Sequence, residues 1–446
     1  MEPDIGNPAP HSIADALATP SAHSPGAVAG LSCSARAFSK ARMVLLAVTV
    51  IASILFAWCT LAHRLARWSI TAPISMIIAG IALTSGSNPP LAFDFGDMAG
   101  FEHAVEVVLA LLLFVDAIEV PAGVIRRERA VAARLLVVAL PLTLGAAFAI
   151  ALALFPGQPG WVLATLATVI IPLDLAPTAA VVRDKRIPAR LRRVLNVEGG
   201  LNDGVIAPVF LLCVAAAEPH TAEMSYAAVA LDAMKSVAWA IAAGSLIGGV
   251  AGWLLWRSCV KGWMQRPATG LAVLSVPIAA YTLSAALNGN GFVAAFVAGV
   301  CIAPAMRHLT ESAYNTTDDV VILLTLALWF LFGQIINDQF RNGFNLSVIL
   351  YALLAVTLVR LVPVVVALAG TDLVWSDRLF LGWMGPRGIT SVVFGILASI
   401  ELREAEGGFV FQVIVITVMT SILLHGLTAE PVSRLYARRR PQSEPH

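Results

Sequence analysis

The sequence predicts an all-α polytopic membrane protein of about 13 transmembrane helices, built as two inverted repeats with crossed, broken helices at spans five and twelve. Three observations carry this expectation. The composition is apolar and poor in charge, thirteen apolar runs approach membrane-spanning length, and two of those runs are interrupted at corresponding places.

Hydrophobic residues make up 58% of the 446-residue chain and charged residues only 13%. Soluble domains carry about 25% charge, so half the usual solvating charge is missing. Mean hydropathy is +0.82. A net charge of +1 gives no reason to expect a nucleic-acid partner. Cys33, Cys59, Cys213, Cys259 and Cys301 are scattered and never form a Cys-x-x-Cys pair. That pattern excludes a disulfide framework and a zinc site. Neither a Walker A run nor His-Glu-x-x-His occurs, so neither nucleotide-driven transport nor zinc proteolysis is expected. No cofactor is expected either. Anything this chain moves is driven by an ion gradient.

A hydrocarbon core of about 30 Å needs about 20 apolar residues per helix. The candidate windows are 43–62, 69–87, 103–122, 134–155, 161–182, 194–217, 226–256, 267–284, 291–306, 318–337, 344–369, 379–400 and 409–432. The seventh is over-long and is expected to tilt or kink at Gly248-Gly249. Lysine and arginine gather in cytoplasmic loops. Arg126, Arg127, Arg129 and Arg134 precede or open span four, and six cations lie between Arg183 and Arg193. Arg257, Lys261 and Arg266, and the tail Arg438-Arg439-Arg440, fall on the same side. The C-terminus is therefore expected in the cytoplasm and the N-terminus outside, in the cell (inner) membrane. Arg36, Lys40 and Arg42 go against this rule. Residues 1–42 are rich in Ala, Ser and Pro and read as a disordered tail, with Met43 an alternative start. The transport domain is then 43–432, followed by a short basic tail at 433–446.

Ionisable groups inside a span cost roughly 2.5–3.5 kcal/mol each on insertion scales, which makes each a functional candidate. Asp174 sits near mid-span between Pro172 and Pro177, whose missing N–H groups unwind the helix. Span twelve has the matching break, Gly382-Trp383-Met384-Gly385-Pro386-Arg387-Gly388. Paired breaks in inverted halves point to a transporter's binding site. Half-helix ends carry opposite partial charges, so Arg387 is read as compensating a half-helix dipole, and Asp174 as compensating one, ligating an ion, or both. Asn202-Asp203-Gly204 lies mid-membrane in span six. A lone carboxylate taken out of water holds either a proton or a bare cation, the minimal machinery of exchange. Glu198 and Arg360 lie at compatible depths and are expected to form a buried ion pair. Asp116 is read as an interfacial cap, Asp232 and Lys235 as a local helix pair, and His425 as a packed core histidine.

These residues resemble those of the monovalent cation:proton antiporter family, which includes NhaP-type bacterial sodium/proton antiporters and animal sodium/proton exchangers. The most specific stretch is Pro172 to Pro208, with its broken helix, basic loop and Glu198-Gly199-Gly200-Leu201-Asn202-Asp203-Gly204. Leu113-Phe114-Val115-Asp116-Ala117, Gly291 to Phe296, Gly385-Pro386-Arg387-Gly388 and His425 to Ala429 extend the likeness over nearly the whole membrane part. The resemblance implies a homodimer in which an ion-carrying core moves against a dimer domain. It implies that Asp203 binds proton and cation, that Asp174 is its companion, and that Asn202 stabilises the crossing. Asn202-Asp203 in place of two aspartates implies electroneutral exchange. Leu173 and Gly199 stand where the family commonly has hydroxyl residues, which leaves sodium, potassium and lithium open as the cation. A gated channel or ion sensor on the same fold is the alternative, against which no repeated filter loop is found. A membrane enzyme lacks a nucleophile, base and orienting group.

Overall fold

The computed structural model describes residues 45, 49–62, 64–65, 71–85, 99–119, 122–175, 178, 184–217, 226–306, 311–343 and 345–439. Residues 1–42, Pro177, Arg183 and the tail beyond Arg439 lie outside the described residues. The chain divides between Ser53 and Ile54, and the site lies wholly in the second part, Ile54–His446.

Among the described residues there is helix and no strand. The helices are α1 (Thr49–Ala62), α2 (Ala72–Thr84), α3 (Ala99–Glu119), α4 (Ala122–Arg134), α5 (Leu140–Leu154), α6 (Gly160–Val169), α7 (Ala189–Ala217) and α8 (Tyr226–Val260). They continue with α9 (Arg266–Ala286), α10 (Gly291–Met306), α11 (Glu311–Asn342), α12 (Leu346–Val356), α13 (Leu358–Ala367), α14 (Trp375–Trp383), α15 (Ile389–Glu401) and α16 (Glu404–Arg439). Each predicted window holds a helix, whole or broken. Seven described helical stretches are long and apolar enough to cross a bilayer, two of them made by joining α4 to α5 and α12 to α13. Large apolar side chains such as Trp239, Leu246 and Trp253 on α8 are more than half exposed, as suits a hydrocarbon solvent.

Helix packing separates two groups within this unit. Helices α2, α3, α8, α9, α10 and α11 pack mainly on one another, as do α4–α7 with α12–α16. α3 also lies against α7 and α15, and so bridges the groups.

Four details differ from the expectations. Of the tilt or kink expected at Gly248-Gly249, the kink is absent, since α8 is one continuous helix there. Gly248 serves close packing instead, since a Cβ there would stand 2.5 Å from the Ala298 carbonyl oxygen on α10. Span eleven is broken where none was expected, because Thr357 leaves helical geometry (φ −109°, ψ −89°) between α12 and α13. A wide π turn, Leu135–Ala139, joins α4 to α5 just before Pro141, which has no N–H to give the preceding turn. Residues 433–439, expected as tail, continue α16.

Candidate functional site

The two interruptions meet. After α6 the chain runs without helix through Ile171, Pro172, Leu173, Asp174 and Leu175. Between α14 and α15 it runs through Met384, Gly385, Pro386, Arg387 and Gly388. The Asp174 amide donates to the Pro386 carbonyl at 3.0 Å, joining the breaks backbone to backbone. Breaking two helices here frees donors and acceptors that low dielectric makes costly to leave unpaired.

The charged residues take up those freed groups. Ile171, just past the C-terminal end of α6, accepts from Arg387 Nη1 at 2.6 Å and from Asn202 Nδ2 at 3.0 Å. At the end of α14, Leu381 and Met384 carbonyls accept from Arg360 Nη2 at 3.2 and 3.4 Å. The Trp383 carbonyl accepts from His425 Nε2 at 2.9 Å. Each negative helix end thus receives an arginine. At the positive end of α15, Asp174 Oδ2 accepts from the Ile389 amide at 3.2 Å. Arg387 and Asp174 therefore occupy the dipole-compensating positions. Arg360 occupies one too, which span-by-span reading missed because its target lies 21 residues away in another helix.

Arg360 also grips Glu198 with two hydrogen bonds, Nη1 to Oε1 at 2.8 Å and Nη2 to Oε2 at 3.0 Å. Both side chains are about 5% exposed. The glycines of the second break make room for these charges. A Cβ on Gly385 would collide with the Arg360 guanidinium, and one on Gly388 with the Asp174 carboxylate.

Asp203 lies on α7 beside the crossing and is 1% exposed. Its Oδ1 accepts from the Leu173 amide at 3.1 Å. Its Oδ2 has no hydrogen bond of good geometry within the protein, although the Thr390 side chain on α15 stands beside the carboxylate. Sequence reading missed Thr390, whose only signal is its position two residues past Gly388. Asp116 is not an interfacial cap. It is partly buried on α3, within electrostatic reach of Asp203, Asp174 and Glu119. Its helix, α3, packs against α7, which carries Asp203, and against α15. Among the described residues no three His, Cys, Asp or Glu side chains cluster closely enough to chelate a metal ion.

His425 is packed, with Nδ1 3.3 Å from Ser421 Oγ, which itself accepts from the Arg387 amide at 2.7 Å. Asp232 and Lys235 are both exposed and make no ion pair, since solvent screening leaves little to gain from one. A second set of charges ties together the middle of α4, the start of α7 and the turn before α14. Buried Glu128 accepts from Arg190 and Arg193 at 3.0 and 2.8 Å, and Arg190 also pairs with Asp372 at 2.6 Å.

Comparison with known proteins shows which family this fold belongs to. The chain is 21% identical over 372 residues to a K(+)/H(+) antiporter NhaP2 of Shewanella baltica, covering 81% of this chain. The match spans 62% of that relative's length. It is 26% identical to a Na(+)/H(+) antiporter of Schizosaccharomyces pombe, covering 75% of this chain and 77% of the relative. The solved sodium proton antiporter MjNhaP1 of Methanocaldococcus jannaschii superposes with a TM-score of 0.70. That likeness covers 89% of this chain and 99% of MjNhaP1 at 17% identity, and so speaks to the fold. Residues 43–435 match the family described as sodium/hydrogen exchanger, transmembrane. With nearly all of its helical part inside that match, the chain belongs to the transmembrane sodium/hydrogen exchanger family.

Proposed function

We propose that this protein is a secondary active antiporter that exchanges a monovalent cation, Na+ and/or K+ or Li+, for H+ by alternating access. The observation that carries this reading is Asp203. It is a buried carboxylate beside two crossed, interrupted helices, on a helix that packs against α3 of the other helix group. One such carboxylate holds a proton or a cation, not both. Carrying each in turn across the boundary between the groups couples the two gradients. Asp174 and the Thr390 hydroxyl supply further oxygens for the cation, while Asn202 and Arg387 hold the crossing through Ile171. Because one aspartate carries one charge each way, exchange is one-for-one and electroneutral.

The working unit in this proposal is a homodimer in the cell (inner) membrane, N-terminus outside and C-terminus cytoplasmic. This orientation puts Arg186, Arg190, Arg192 and Arg193 on the cytoplasmic side. The transport domain is 43–432, and the tail 1–42 is dispensable for exchange. The names of the relatives, K(+)/H(+) for one and Na(+)/H(+) for another, support exchange and leave the cation to experiment.

The test is reconstitution in vesicles loaded with a pH dye. Adding sodium, potassium or lithium outside should release internal protons along a saturating curve. Cation flux that ignores the proton gradient would instead identify a channel.

A further inference from the structure

We propose that one buried water molecule sits between Asn202 and Arg387 and closes a hydrogen-bonded ring at the helix crossing. The site is a small pocket of about 10 Å³, partly open between the half-buried Leu136 and Leu140, and lined at its inner end by Thr143, Asn202, Arg360 and Arg387. A cavity of roughly 10–15 Å³ is the least that holds one water.

The polar groups around it are left over from the crossing itself. Asn202 Nδ2 and Arg387 Nη1 both donate to the Ile171 carbonyl. Because that partner is an acceptor, the amide orientation is settled and Asn202 Oδ1 must find a donor elsewhere. It finds none in the protein. Arg387 Nε and Nη2, and Arg360 Nε, are likewise buried without a protein acceptor. Asn202, Arg360 and Arg387 are each at most 4% exposed, so bulk solvent does not serve them. Both Glu198 oxygens are already taken by Arg360, and the Thr143 hydroxyl donates to the Ala139 carbonyl at 2.7 Å.

The occupant has to accept from a guanidinium and donate to an amide oxygen at once. A cation fails the first requirement beside two arginines. Chloride fails the second, because it would face the lone pairs of Asn202 Oδ1, and it is too large. Water meets both, at the right size. The wide π turn at Leu135–Ala139 forms the remaining wall, in keeping with the use of such turns at functional sites. The ring Ile171–Asn202–water–Arg387 then fixes the residue next to Asp203 against both broken helices. The inference does not depend on which ion is carried, or on transport at all.

One measurement tests it on the full-length protein. A cryo-EM or crystal structure that resolves ordered water should show one isolated peak within about 3.2 Å of both Asn202 Oδ1 and Arg387 Nη2. Direct contact between those side chains, or a bromide anomalous peak at the site, would overturn the proposal. A site left empty at a resolution that orders other buried waters would refute the water.

Discussion

Arg360 bonds Glu198 at 2.8 and 3.0 Å while also donating to the Leu381 and Met384 carbonyls. One guanidinium therefore neutralises a buried carboxylate on α7 and caps a half-helix of the second repeat. Breaking such a pair by removing one partner typically costs about 3–5 kcal/mol, because the other charge is left uncompensated. Glu198→Gln and Arg360→Gln should each lower thermal stability in detergent markedly. The double variant should lose less than the sum, with a coupling of at least about 1 kcal/mol. Strictly additive losses would show that the two residues act separately.

The glycines of the second break give a sharper steric test. A methyl group at Gly385 or Gly388 enters space held by Arg360 or Asp174, whereas one at Gly249 meets nothing within 4 Å. Gly385→Ala and Gly388→Ala should each cost about 1–3 kcal/mol through overpacking. Gly249→Ala should be neutral or gain up to about 1 kcal/mol from helix propensity. Equal effects at all three positions, read as melting temperatures, would contradict the geometry.

Outside the spans, Asp372 and Asp184 behave differently from the central carboxylates. Hydrogen bonds from Arg190 hold the Asp372 carboxyl below the usual carboxylate range, and those from Arg186 do the same for Asp184. A folded value below the unfolded one adds stability at every pH above the ordinary carboxylate value. That contribution disappears only as pH falls through the folded value. These pairs therefore set no pH dependence near neutrality. Asp372→Asn should leave the pH profile of exchange between about pH 6 and 9 where it was, and should soften the loss of thermal stability below about pH 4. A shifted transport midpoint in that variant would place a pH sensor in the loop network.

Much of this architecture was legible in the sequence, because the membrane makes local rules strict. Helices must satisfy their backbones internally, so apolar runs gave the spans, and Pro172 and the Gly385-Pro386 pair gave the breaks. Asp174 and Arg387 stood out because charge at that depth is costly. What stayed hidden depends on which helices touch. No glycine or proline marks the break at Thr357. The double duty of Arg360, the approach of Asp116, and the place of Thr390 beside Asp203 arise only when helices distant in sequence pack together. Gly248 misled for the same reason, since its partner is Ala298 on another helix.

The central claim is that Asp203 alternately carries proton and cation, and one variant tests it most directly. Asp203→Asn keeps the shape of the side chain and an oxygen to accept from the Leu173 amide, but can neither titrate nor supply charge. In vesicles reading sodium- or lithium-driven proton flux, the wild type should show an apparent cation KM that rises as pH falls, since protons occupy the same carboxylate. Exchange by Asp203→Asn should be abolished in both directions, while the protein keeps its oligomeric state and melting behaviour. Exchange that survives in this folded variant would contradict the account and move the carrier site elsewhere.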